Sequence, residues 1–138
     1  MIQHIGKVAE YFVLAELIRR NVEAYSAISF RQEHYDVTVV MPDKTISRVQ
    51  VKGTELHNKT TNNIISNLNK DYDHLVLVVF NEKIPEYFIL TKQEAESEFA
   101  ANKSGNIYVS RQTNRLFSVK ESIARHKDCW AKITGNEA

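Results

Sequence analysis

Tyr35-Asp36-Val37-Thr38-Val39-Val40-Met41, then Pro42-Asp43-Lys44, then Thr45-Ile46-Ser47-Arg48-Val49-Gln50-Val51-Lys52-Gly53 is the stretch that decides the fold. The first segment is rich in β-branched residues, which suit a pleated strand. The middle is turn chemistry: Pro presets one backbone torsion and Asp bonds its own backbone. The third segment alternates with a period of two. Together they read as a β-hairpin, with strands over residues 35–41 and 45–53. Alternation puts Gln50 and Lys52 on one face, with Val49 and Val51 turned toward a core on the other. Counting outward from the turn, Asp36 and Gln50 fall opposite each other at the end away from it.

Working outward, residues 4–20 form a helix that is apolar almost all round: Ile5, Val8, Ala9, Phe12, Val13, Leu14, Leu17 and Ile18. Such a helix is expected to be packed on most of its faces. Residues 22–30 are a strand candidate. Residues 60–71 place Ile64, Ile65 and Leu68 at helical spacing, which predicts a short amphipathic helix. Asp73 to Phe80 holds a continuous apolar run, the mark of a strand covered on both faces. Glu86 to Leu90 is a further strand. Thr91-Lys92-Gln93-Glu94 is a capping box that opens a helix toward Asn102. Ser118-Val119-Lys120-Glu121 reads as another, opening a helix to about Ile133. Residues 104–117 read as a loop with a short strand at Asn106–Val109. The expectation is an α/β fold, a mixed sheet with helices packed on it, in one domain over residues 1–138.

Composition bounds the partners only loosely. The formal net charge is +1, so a basic face for nucleic acid has to be local and balanced by acid elsewhere. The lone cysteine, Cys129, excludes an intrachain disulfide and reads as a packing residue beside Trp130. No signal peptide is indicated, no apolar run is long enough for a bilayer, and a cytoplasmic setting is expected. His4, His74 and His126 have no metal-ligand spacing with each other or with Cys129, which argues against zinc.

The chemistry concentrates on the hairpin. Asp36 lies among β-branched residues, where an acid is costly unless exposed, paired or metal-bound. Its register brings a carboxylate, the Gln50 amide oxygen and the Lys52 ammonium toward one point. Hydrolysis of a phosphodiester needs charge neutralisation on the phosphate and an activated water. Mg²⁺ or Mn²⁺ supplies both, and Mg²⁺ prefers oxygen ligands while keeping several waters. Asp36 and Gln50 are the candidate ligands. Lys52 would hold the attacking water or the scissile phosphate as a compact positive charge.

This arrangement resembles the PD-(D/E)XK nuclease superfamily, which includes restriction endonucleases and Holliday junction resolvases. Asp36 takes the position of the first acid. Gln50-Val51-Lys52 takes the acid-x-Lys position, with Gln in place of the acid. Gly6-Lys7-Val8-Ala9-Glu10 resembles the helix segment that supplies an additional Glu, and Glu16 is the rival on that helix. The element order over roughly residues 4–80 resembles the restriction-endonuclease-like αβββαβ core, with an extra C-terminal strand and helices. The resemblance implies a DNA phosphodiesterase in which Asp36, Gln50 and Glu10 hold Mg²⁺ or Mn²⁺ and Lys52 completes the catalytic set. It implies DNA as partner, no membrane, and leaves a homodimer open. The literal Pro42-Asp43 pair sits at the wrong end of the strand to serve Lys52.

Thr54, His57 and Lys59 follow Lys52 and are candidates for contact with the substrate backbone. Asn58 follows in the same loop, and His34 abuts the site in sequence. The loss of one carboxylate at Gln50 motivates a second reading, a catalytically weak or inactive nuclease-like module that binds nucleic acid or protein. Which reading holds depends on whether Glu10 is directed at Asp36.

Overall fold

The computed structural model describes residues 2–27, 35–57, 63–66, 71–114 and 116–135. Helix α1 (Ile5–Arg19) leads into β1 (Glu23–Ser26), β2 (Val37–Val40) and β3 (Ile46–Glu55). The β2–β3 hairpin closes through the turn chemistry of its sequence. Met41 accepts from the Lys44 N–H at 2.8 Å, and Asp43 Oδ1 accepts from the Thr45 hydroxyl at 2.6 Å. Val37 stands opposite Val49, so Asp36, one residue before β2, comes level with Gln50.

The chain continues through β4 (Ile64–Ile65), β5 (His74–Asn81), β6 (Ile84–Thr91) and α2 (Lys92–Ala100). The main sheet has the order β1-β2-β3-β5-β6. Only the central β3–β5 pair is parallel; its neighbours are antiparallel. Leu75 to Phe80 of β5 are buried throughout, as their unbroken apolar run requires of a central strand. One face of the sheet, with Val49, Val51, Val76 and Val78, packs on Ala9, Val13 and Leu17 of α1. The other, with Leu75, Leu77 and Val79, packs on Ala95 and Phe99 of α2. Thr91 caps α2 through the capping box expected with Glu94. No helix among the described residues is long and apolar enough to cross a membrane.

Three expectations are corrected. The helix predicted over residues 60–71 does not fit its described part, where Ile64 and Ile65 form β4 and pair with β7 (Ile107–Tyr108). Asn63 precedes them at a left-handed φ of 53°, which no helix continues through. The single C-terminal helix is replaced by α3 (Glu121–Ala124) and α4 (Ala131–Thr134), after the hairpin of β8 (Ser110–Thr113) and β9 (Leu116–Val119). Ser118 pairs with Arg111 inside that hairpin, so it caps nothing. Between α3 and α4 the backbone docks on β6: Ile89 N–H donates to the His126 carbonyl at 3.0 Å and Asp128 N–H to that of Tyr87 at 2.9 Å. Finally, α1 is covered on one face only. Tyr11 and Ile18 stay 61% and 54% exposed, because the sheet has only one side of the helix to cover.

Candidate active site

Asp36 is held at the mouth of the β2–β3 hairpin by its backbone. Its N–H donates to the Val49 carbonyl at 2.8 Å, and its carbonyl accepts from the Ala27 N–H at 3.0 Å. Its carboxylate oxygen Oδ2 accepts two bonds, from Gln50 Nε2 at 2.7 Å and from the Val51 N–H at 2.8 Å. Register thus delivers the juxtaposition expected from counting outward from the turn. Gln50, only 4% exposed, turns its amide nitrogen to Asp36 and leaves Oε1 buried without a hydrogen-bond partner. An orphaned buried acceptor costs about 1–3 kcal/mol, and such a group in a native fold calls for an occupant of its lone pairs.

Glu10 arrives from the helix. Its carboxyl comes near enough to that of Asp36 to perturb it, and Lys7 Nζ closes on Glu10 Oε2 at 3.0 Å. Burial, reinforced by the Glu10 carboxyl, pushes the Asp36 carboxyl up to about 7; the Val51 N–H and the Lys52 charge act against this. Glu16, the rival acid, is committed elsewhere: it pairs with Arg19 at 2.9 Å and Arg20 at 3.2 Å.

The glycine after Lys52 explains how the helix reaches so far in. A Cβ on Gly53 would stand 2.8 Å from Ala9 Cβ and 3.2 Å from the Ile5 carbonyl oxygen. Only the absence of a side chain lets α1 approach β3 this closely, and Ala9 is the neighbour of Glu10. The sequence carried the signal, since Gly inside a strand often marks close backbone approach. Lys7, the cation on Glu10, and Gly53 are the two contributors that residue patterns alone did not single out.

The remaining candidates separate. Thr54 is buried and donates its hydroxyl to Asn63 Oδ1 at 2.6 Å, so it braces an interior turn in place of the expected substrate contact. His57 is exposed, 3.0 Å from Asn81 Oδ1, with its ring edge-on to Phe117. Lys59, Asn58 and His34 lie outside the described residues. Among the described residues no three His, Cys, Asp or Glu side chains are grouped to hold a metal. The oxygen set here is two carboxylates and one amide. Mg²⁺, which accepts one or two carboxylates, a carbonyl and waters, suits that set; zinc, which favours N and S ligands, does not.

No family model matches the chain, and no curated protein matches it. Among solved structures it is similar to a bacterial homing endonuclease, I-Ssp6803I, with a TM-score of 0.62 and 19% identity over 93% of this chain and 88% of that one. The likeness extends past the αβββαβ part of the chain to nearly its whole length. The chain shares its mixed α/β fold with that structure.

Proposed function

We propose that the protein is a metal-dependent DNA nuclease of the PD-(D/E)XK type, with a Gln-x-Lys form of the motif. The observation that carries this reading is the meeting of the Asp36 and Glu10 carboxyls beside the unpartnered Gln50 oxygen. In this reading Asp36, Glu10 and Gln50 Oε1 hold Mg²⁺ or Mn²⁺. When bound, the ion would supply charge neutralisation at the phosphate and would ease loss of the proton from the water that attacks it.

The protein's own groups divide the remaining work. The Val51 N–H and the Gln50 amide fix the Asp36 carboxylate, so it needs no reorganisation when charge develops. Lys7 holds Glu10 in place from outside. Lys52, next along the same face of β3, orients the water or the phosphate through its ammonium. The raised Asp36 carboxyl means that near neutral pH a proton competes for this position, so cleavage should rise with pH through about 7.

The test is cleavage of plasmid and branched DNA with Mg²⁺ or Mn²⁺ by the wild type and by Asp36→Ala. Activity in the first and none in the second is expected; equal behaviour of the two sinks the assignment. The non-catalytic module reading is the less favoured, because Glu10 supplies the second carboxylate that Gln50 lacks.

A further inference from the structure

Nothing in the site just described uses the β8–β9 hairpin, yet its chemistry is unusual for this chain. Between Glu98 and Glu121 the sequence has Lys103, Arg111, Arg115 and Lys120 and no acid, in a protein whose overall charge is only +1. This run of sequence is therefore basic, although the chain as a whole is close to neutral. The hairpin pairs Arg111 with Ser118 and Thr113 with Leu116, so these four share one face. All four are exposed, Leu116 to 70%. The opposite face is anchored: Phe117 and Val119 pack on the core beneath α2.

The ribbon is also tied to the strand that carries the active site. Asn63, fully buried, accepts from the Thr54 hydroxyl at 2.6 Å and donates to the Ser110 hydroxyl at 2.8 Å. Its carbonyl accepts from the Val109 N–H at 3.0 Å. One side chain thereby joins the base of β8 to β3 two residues beyond Lys52. Gln50 and Lys52 are level with Leu75 and Leu77, which belong to the same core that Phe117 and Val119 touch. The Gln50 and Lys52 side chains thus lie on the side of the sheet that the ribbon covers, with Glu10 reaching them from α1 on the other side.

The geometry points to the outward face of β8–β9 as a reading element that enters the major groove of duplex DNA and selects the sequence presented to the Asp36 site. A two-stranded ribbon fits that groove, and the face offers what base edges there accept. Arg111 can bond bidentately to guanine. Thr113 and Ser118 can donate or accept. Leu116 gives the thymine methyl an apolar contact, a use for a leucine that otherwise pays a hydration cost. The neighbouring cations supply the phosphate attraction. This inference rests on the nuclease reading above.

The experiment selects bound sequences from a pool of DNA duplexes with a randomised centre, in EDTA so that nothing is cut. Wild type, Asp36→Asn, Arg111→Lys, Arg111→Ala and Leu116→Ala are compared. Wild type and Asp36→Asn are expected to enrich the same sequence. Arg111→Lys, which keeps the charge and loses the fork, should hold unselected duplex nearly as well while losing roughly tenfold to a hundredfold of the preference. Arg111→Ala should in addition lower the salt dependence of binding, and Leu116→Ala should relax selection at a thymine position. These residues are exposed, and unchanged melting temperatures confirm that the variants fold.

Variants that enrich the wild-type sequence with undiminished preference overturn the inference, and so does a wild type that binds no duplex. Equal or tighter binding to an RNA duplex also overturns it, because the major groove of A-form RNA is too narrow for a ribbon. Cleavage is scored separately with Mg²⁺. Altered selection without any cleavage keeps the ribbon and removes the nuclease reading; cleavage with unaltered selection does the reverse.

Discussion

Replacing Asp36 by Asn should make the metal-free protein more stable, not less, at mildly alkaline pH. The carboxyl titrates at about 7 in the fold, against an ordinary value near 3.8. Folding therefore takes up a proton between those two values, and the wild type gains stability as pH falls through that window. Above it the buried charge opposes folding, with a ceiling of about 4 kcal/mol from the full shift at about 1.4 kcal/mol per unit. The Asn side chain resembles the protonated acid and carries no charge toward Glu10. Some of the gain is returned, because Asn accepts from the Val51 N–H less strongly than a carboxylate does. A net gain of about 1–3 kcal/mol at about pH 8 remains, which raises the melting temperature by roughly 3–10 °C in a chain of this size. The advantage should shrink steadily as pH falls from about 7 toward about 4, and vanish below that, where the wild-type carboxyl is protonated in both states. Mg²⁺ should act oppositely. At ten times its dissociation constant it should stabilise the wild type by about 1.4 kcal/mol and the variant not at all. Thermal melts at two pH values, with and without Mg²⁺, decide the matter. An Asn variant that is less stable by the same amount at both pH values, or that retains the Mg²⁺ shift, refutes the reasoning.

Other perturbations divide the site from its supports. Gly53→Ala should cost about 1–3 kcal/mol by overpacking and, by pushing α1 off β3, should also weaken the Mg²⁺-induced rise in melting temperature. Glu10→Gln should abolish that rise with little loss of fold, whereas Glu16→Gln, which loses only exposed pairs with Arg19 and Arg20, should change melting by less than about 1 kcal/mol and leave cleavage intact. Thr54→Val should destabilise by about 1–3 kcal/mol through the abandoned Asn63 oxygen, measured by urea unfolding. Gln50→Glu should bind Mg²⁺ more tightly by calorimetry yet show a higher KM for DNA.

What the sequence disclosed and what it withheld divide by range. The β2–β3 hairpin was legible because Pro42, Asp43 and Thr45 fix its turn locally, and register then carries Asp36 to Gln50 without further information. The same holds for β5, whose apolar run has no other stable use, and for the α2 cap at Thr91. Strand β4 was not legible, since Ile64 and Ile65 become a strand only by pairing with Tyr108 and Ile107, far along the chain. Ser118 shows the opposite failure. Its capping spacing is real, but pairing with Arg111 claims it first, a tertiary override of a local motif. Apolarity alone could not say which face of α1 would be left bare. In the candidate site, the juxtaposition of Asp36 and Gln50 was readable from the hairpin register, while the direction of Glu10 depended on a helix depth that Gly53 sets.

The glutamine at position 50 then has a physical rationale in the proposed holo site. An acid there would be the third carboxylate around a position where burial and Glu10 already push Asp36 up to about 7. Gln50 contributes an oxygen without that charge, and its Nε2 bond at 2.7 Å steadies Asp36, which an acid could do only when protonated. The charge left over differs as well. Two carboxylates balance a dication. A third would add a net negative charge to the site and weaken the attraction on which phosphate binding depends. Gln50 thus trades metal affinity for substrate affinity, and an opposite movement of the two in Gln50→Glu is the signature of that trade.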